Sequence, residues 1–342
     1  MPLTQLNFQP GLDTENTPTG AEGRWVDGDK IRFRKGLPQK IGGWTKFSAD
    51  YYVGVGRALE QWYSLDGSRY EAIGTDRKIY VYQSGDNQDI TPIRSTDALV
   101  NSISTTTSSN IITITDSGHG ALKGDFVTLS SVSATVGGIP AATLDAEYEI
   151  LTIANSSAYT IQSSATANAN TGPTANCTAT YQLNIGPSVQ TFGYGWGAST
   201  WGASTWGTPR STTTVLLDAR LWSINNWGED LIITQKDGGT YEWDLSGGMS
   251  TNRATAIANA PTTSTLSIVS TETRHVICMG TETTIGDSTT FDKMFIRWSD
   301  QENYNFWTPN VTNSAGSQRI AGGSEIRCAR PAKGTILVWT DT

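Results

Sequence analysis

Charge is scarce in this sequence. Only 16% of the 342 residues are Asp, Glu, Lys or Arg, and the balance is −8. Tight or sequence-specific nucleic-acid binding needs clustered Lys and Arg, so that class is disfavoured, although passing contact with DNA is not. Histidine is scarcer still: His119 and His275 stand alone, and neither sits in an HExxH or similar spacing. Cys177, Cys278 and Cys328 show no CxxC pairing, so they read as reduced thiols and not as a disulfide framework or a zinc site. No apolar run approaches the ~18 residues of a membrane span. The start, Met1-Pro2-Leu3-Thr4-Gln5, lacks the basic and apolar regions of a secretory signal. GxSxG, Walker and GxGxxG patterns are missing, and Gly54-Val55-Gly56 lacks the third glycine. No catalytic, cofactor or metal residue is therefore assigned, and no cofactor is expected.

Helical periodicity is almost absent too. Instead, short apolar runs bounded by Gly, Asp, Asn and Ser recur through a chain with 35 Gly, 12 Trp and 12 Tyr. β-Branched and aromatic residues between turn formers are the signature of strands, so the expected class is all-β. In residues 1–57, an N-terminal arm and first strands, a hairpin is expected around Asp27-Gly28. Beyond it Ile31 and Phe33 share one face, and Arg32 and Arg34 the other. Residues 58–98 read as a four-strand meander, the size of one β-propeller blade of about 40 residues. Its fourth strand is expected over Asp89–Ile93.

Residues 99–186 change character. They are rich in Ser, Thr and Ala, poor in Trp, and read as a small β domain inserted into a propeller-like host. Residues 187–342 return to the strand, turn and aromatic-strand order, at Leu221–Ile224, Asp230–Trp243, His275–Trp298 and Glu325–Trp339. They open on a Gly-Trp segment, 193–207, in which Trp-Gly-Ala-Ser-Thr runs twice and begins again. Trp196, Trp201 and Trp206 either cap the chain's own sheet or meet a neighbouring subunit or partner, where Trp is enriched at hot spots.

An enzymatic reading needs paired carboxylates about 5–10 Å apart, as in glycosidases. Glu60, Glu71, Glu242 and Glu272 lie near strands, but their spacing does not pair them. A carbohydrate-binding or glycan-hydrolysing propeller, or a receptor-binding adhesin with the insert at its tip, stands as the alternative class.

Phe295-Ile296-Arg297-Trp298-Ser299-Asp300, followed by Asn303 and Trp307, resembles a segment of the tail nozzle proteins of short-tailed phages, also called stabilisation proteins or tail tubular protein B. Ile31-Arg32-Phe33-Arg34-Lys35-Gly36-Leu37-Pro38-Gln39-Lys40-Ile41-Gly42-Gly43-Trp44 is similar to that family's N-terminal segment. Ala72–Thr75, Tyr80–Tyr82 and Asp89–Pro92 look like its first blade, and the Gly-Trp repeat recurs in it. The resemblance implies a non-enzymatic virion protein in the phage tail, assembled in the host cytoplasm as a hexameric propeller-based ring around the DNA exit channel. Its implied partners are a tail adaptor or portal and tail fibres or spikes, with DNA passing through and no membrane insertion. The chain ends at Thr342 with fewer blades than a closed propeller needs, so it is expected to be part of a longer protein or a ring completed differently. Arg32, Arg34, Lys35 and Lys40 mark either a subunit contact or a narrow basic ring.

Overall fold

The computed structural model describes residues 8–43, 45–46, 48, 50–184, 186, 219–249 and 252–342. Tight turns cut them into short strands, which outside one eight-stranded sheet are joined as neighbours in sequence order, nearly all antiparallel. The chain divides into two units, Met1–Ala49 and Asp50–Thr342, so the arm expected to reach residue 57 ends earlier.

In the first unit β1 (Gln9–Leu12) pairs in parallel with β2 (Arg24–Trp25). A separate hairpin joins β3 (Ile31–Arg34) to β4 (Leu37–Lys40). The hairpin turns at Lys35-Gly36, not at Asp27-Gly28. Both residues have positive φ, 52° and 80°, the pair that a two-residue primed turn requires and that matches strand twist. Side chains alternate along β3 as expected, with Arg32 and Arg34 exposed and Ile31 and Phe33 half-buried.

The second unit begins with a four-stranded meander: β5 (Gly56–Tyr63), β6 (Arg69–Thr75), β7 (Ile79–Gln83) and β8 (Asp86–Asp89). Ser84 and Gly85, at φ 50° and 112°, make the last turn two residues long. The fourth strand therefore starts at Asp86 and ends before Pro92, which has no N–H for a ladder.

An eight-stranded sheet follows: β9 (Ile93–Leu99), β10 (Ile103–Thr105), β11 (Ile111–Thr115), β12 (Phe126–Ser130), β13 (Glu147–Asn155), β14 (Ala158–Gln162), β15 (Thr171–Thr174) and β16 (Cys177–Gln182). One helical turn, α1 (Ala141–Leu144), precedes β13. The spatial order is β15-β10-β11-β14-β13-β12-β16-β9. Its strands share one core, including Ile103, Ile112, Val127, Ile150, Tyr159 and Tyr181. The boundary expected at residue 99 thus lies earlier, because β9 pairs along its length with β16 and belongs to this sheet and not to the first meander.

Two further meanders come next. One holds β17 (Trp222–Trp227), β18 (Asp230–Gln235), β19 (Thr240–Trp243) and β20 (Thr255–Ala256). The other holds β21 (Ser264–Val269), β22 (Val276–Glu282), β23 (Phe291–Trp298) and β24 (Gly316–Arg319). A hairpin of β25 (Ile326–Ala332) and β26 (Thr335–Thr340) ends the described chain. First strands pack side by side: β5 with β17, β17 with β21, and β21 with β25. Each successive pair of sheets encloses its own apolar core. The class is all-β, a propeller-like host carrying an inserted β domain.

Tryptophan locks the first two blades together. Trp62 on β5 donates its indole N–H to the carbonyl of Glu229 at 3.0 Å, and Trp222 on β17 donates to the carbonyl of Thr75 at 2.7 Å. The indole of Trp222 lies on Gly74, where an added Cβ would stand 2.6 Å from Cδ1. Only glycine leaves room for that ring. Gly74→Ala is therefore expected to cost about 1–3 kcal/mol through overpacking. Urea unfolding would show a lower midpoint with an unchanged slope. Gly56→Ala is the control, since its Cβ meets only Ile73 Cγ2 at 4.0 Å. Equal midpoints for the two variants would contradict the seat.

Candidate functional site

The first strands of the three meanders and the last hairpin converge on a cavity of about 450 Å³. Its charged lining comes from Arg57 and Glu60 on β5, Lys236 after β18, and Glu325, Arg327 and Arg330 at β25. Glu325 is occupied, meeting Lys293 at 3.2 Å and Arg327 at 3.3 Å. Burial raises the Glu60 carboxyl above its usual range, with Arg330 opposing. The lining contains no histidine, and its one cysteine, Cys328, is exposed. Such a cavity can hold polar groups; among the described residues its charged lining is four cations and two carboxylates, Glu60 and Glu325.

A second polar cluster joins the insert to the host. Lys78, between β6 and β7, has a side chain only 3% exposed. Its Nζ reaches Asp89 at 2.9 Å and also bonds Glu147 on β13, and it lies 4.4 Å from the centre of the Phe126 ring. Gln182 on β16 donates to Glu147 at 2.6 Å. Arg253, just before β20, pairs with Asp89 at 3.3 Å and donates to the carbonyl of Thr91 at 2.9 Å. Next door, Arg77 donates to the carbonyl of Gly124 and to Glu149, each at 2.9 Å. First blade, insert and second blade therefore meet in one charge cluster, with Lys78 bridging the first blade to the insert and Arg253 bringing the second blade to Asp89. Burial would raise the Asp89 carboxyl, but Lys78 and Arg253 outweigh it and hold it below its usual range.

At the opposite ends of the strands the turns are clasped in series. Glu229 accepts from the Leu65 N–H at 2.9 Å, Arg274 lies 4.7 Å from the Trp227 ring centre, and Glu272 accepts from the Gly334 N–H at 2.7 Å. The motif around Asp300 is used structurally. Asp300 accepts from the N–H of Gln301 and Ser314, Trp298 donates to the carbonyl of Ser314 at 2.9 Å, and Trp307 is fully buried.

The histidines also have structural partners. His119 accepts the Ala121 N–H on Nδ1 at 3.0 Å, which leaves Nε2 to donate to the carbonyl of Asn155 at 3.1 Å. His275 bonds Thr273 and Ser314, and burial lowers its pKa. Among the described residues, no group of three His, Cys, Asp or Glu could hold a metal ion, and no helix is long and apolar enough to cross a membrane.

Of the residues singled out in the sequence, Arg32, Arg34 and Lys35 lie on the exposed β3–β4 hairpin, where Arg32 donates to Gln39 at 3.3 Å. Trp196, Trp201 and Trp206 fall outside the described residues. Sequence reasoning missed the Lys78 cluster. Its members look like turn and strand-edge charges, and Lys78 and Glu147 are 69 residues apart.

No protein-family model matches the chain, and no curated protein sequence does. Among solved structures it is similar to phage phi92 endosialidase, at 12% identity and a TM-score of 0.24, over 86% of this chain and 41% of that one. The chain thus spans less than half of that protein, and the likeness is too slight to decide fold or activity.

Two predictions come from the joint. Lys78→Met leaves Asp89 and Glu147 facing each other without their shared cation. Because Arg253 still faces Asp89 and Glu147 is about a third exposed, the loss should fall below that of a fully buried pair, on the order of 1–3 kcal/mol. Adding Glu147→Gln should recover part of that loss in chemical denaturation, and no recovery would place the cost elsewhere.

The second concerns Asp125, 8% exposed beside Arg77 and Arg94. Burial raises its carboxyl to about 6, against a bond from the Leu122 N–H and the two arginines. A carboxyl raised on folding stabilises least when ionised. Its contribution is intact below the unfolded value near 4 and is lost as pH climbs through about 6. Wild-type protein should therefore lose on the order of 2–3 kcal/mol relative to Asp125→Asn between about pH 4 and pH 7. Parallel stability curves across that window would refute the assignment.

Proposed function

We propose that this chain is a structural, non-catalytic subunit of a short-tailed phage tail, and that it builds the nozzle ring around the DNA exit channel. The observation that carries the proposal is the family-like segment Phe295–Trp307. Its polar groups Trp298, Asp300 and Trp307 hold a loop against β23: Trp298 donates to the carbonyl of Ser314, Asp300 accepts from the Ser314 N–H, and Trp307 donates to the carbonyl of Tyr304. The central cavity supports the same reading. Its charges are mostly cationic, and Glu325 is held by Lys293 and Arg327, as in a packed structural seam. The propeller-like host would supply a wall of the channel, with the insert fixed to the first blade through Lys78. Adaptor or portal, and fibres or spikes, are the partners this role requires.

The net charge of −8 per copy suits a conduit, because each tight phosphate contact would brake a passing duplex. The purified chain should form a ring, read as its mass by light scattering and as its outline by electron microscopy. It should bind duplex DNA no tighter than roughly 10⁻⁴–10⁻⁶ M at physiological salt. Replacing Trp196, Trp201 and Trp206 with Ala should weaken the ring more than it lowers the melting temperature. Hydrolysis of an acidic or neutral glycan by the purified chain, or submicromolar DNA affinity, would overturn the conduit reading.

A further inference from the structure

Charge is divided unevenly along this chain. Residues 1–49 carry seven Lys and Arg against five Asp and Glu, a net of +2. With −8 overall, residues 50–342 carry −10. Within the first unit the asymmetry sharpens again. Residues 30–46 contain six cations, Lys30, Arg32, Arg34, Lys35, Lys40 and Lys46, and no carboxylate. They form the β3–β4 hairpin and the stretch beyond it.

Among the described residues that hairpin is a two-stranded sheet with no third strand. A lone hairpin is marginally stable in water, and a unit this small buries little surface by itself. Ala21 is the one buried apolar residue among the unit's described residues. Leu37 and Ile41, by contrast, are 70% and 49% exposed. Arg34, Lys35 and Lys40 have no acidic partner among the described residues. A ribbon with bare cations and bare apolar side chains is shaped to be covered by something acidic and partly apolar. Duplex DNA would satisfy the cations but not Leu37 and Ile41. Residues 50–342, with ten more carboxylates than cations and with exposed apolar side chains such as Leu59, Tyr63 and Leu65, offer both, and every copy of this chain provides them.

We propose that the β3–β4 hairpin is a docking arm that lies on the acidic surface of a second copy of this chain. Arg34, Lys35 and Lys40 pair with that copy's carboxylates, and Leu37 and Ile41 rest on its apolar surface. The proposal names the contact that holds the ring, and so rests on the ring reading. Its arms are reciprocal: each copy gives one hairpin and receives one, which suits a closed assembly of identical subunits.

The test uses the full chain and the variant Arg34→Glu/Lys35→Glu/Lys40→Glu, whose three side chains are exposed, so that the fold should be unchanged by circular dichroism. Sedimentation velocity at about 0.05 M and about 1 M salt reads assembly, since charge pairs are screened to about 3 Å at the higher value. Wild type should assemble at low salt and lose most of its assembly at high salt. The variant should assemble at least ten-fold more weakly at low salt. Leu37→Ser should weaken assembly at both salts. A variant that assembles like wild type, or wild-type assembly indifferent to salt, overturns the arm and leaves the ring standing. A wild type that stays monomeric at both salts overturns the ring and the arm together. Micromolar duplex binding by wild type that the variant loses would reassign the hairpin to DNA.

Discussion

The architecture depends on a reciprocal exchange of indole N–H groups between the first two blades. Trp62 and Trp222 each donate to a carbonyl of the other blade, across 167 and 147 residues of sequence. A buried indole N–H needs a partner, and each ring here gains one only if the sheets meet in a single register. Trp62 also stacks on Tyr70 at 5.3 Å and meets Trp243 edge-on at 6.2 Å, so one apolar core spans both sheets. The cavity, the turn clasps and the joint to the insert all take their positions from that register. Between the second and third blades the directional bonds are Asn225 to the carbonyl of Ser267 at 3.0 Å and Thr234 to the Ser267 hydroxyl at 2.7 Å. The later blades follow one another directly, each closing a core on its predecessor.

Two kinds of interaction therefore share the work. Blade packs on blade through apolar surface, which is strong and weakly directional. The insert is fixed by charge, with Lys78 held between Asp89 and Glu147 while Arg253 closes the far side. Buried ion pairs add little net stability over well-packed apolar groups, but they penalise misplaced partners heavily. The joint thus contributes geometry more than adhesion. It places the insert at one angle to the first blade without extending the hydrophobic core between them.

Strands bounded by Gly, Asp and Asn were legible in the sequence, as at Ile79–Gln83 and Asp230–Gln235, because period and turn chemistry agree there. The change of composition near residue 99 was legible too, but not the edge of the sheet. β9 carries no local mark of the sheet it joins, and its membership is decided by pairing with β16, a partner about eighty residues away. The Lys35-Gly36 turn was hidden because Lys rarely takes positive φ, whereas Asp27-Gly28 advertises a turn. Strands β10 and β15 are short and rich in Ser, Thr and Gly, so local propensity gave no sign of them. The central cavity was invisible, since its lining comes from four separate strands.

The pairing of β9 with β16 carries a consequence for how the chain finds its fold. The insert's entry and exit strands are neighbours, Leu99 opposite Cys177 and Thr96 opposite Thr180. Once the insert has formed, its two ends leave together, and the long detour it makes in sequence vanishes in space. The loop that must close before Trp62 can find Glu229 is shortened by that whole domain. Closure entropy grows only as the logarithm of loop length, so the equilibrium saving is modest. The kinetic saving is larger, because non-local pairings set the pace of all-β folding. A blade-to-blade clamp that looks remote in sequence is, after the insert has folded, a comparatively local event.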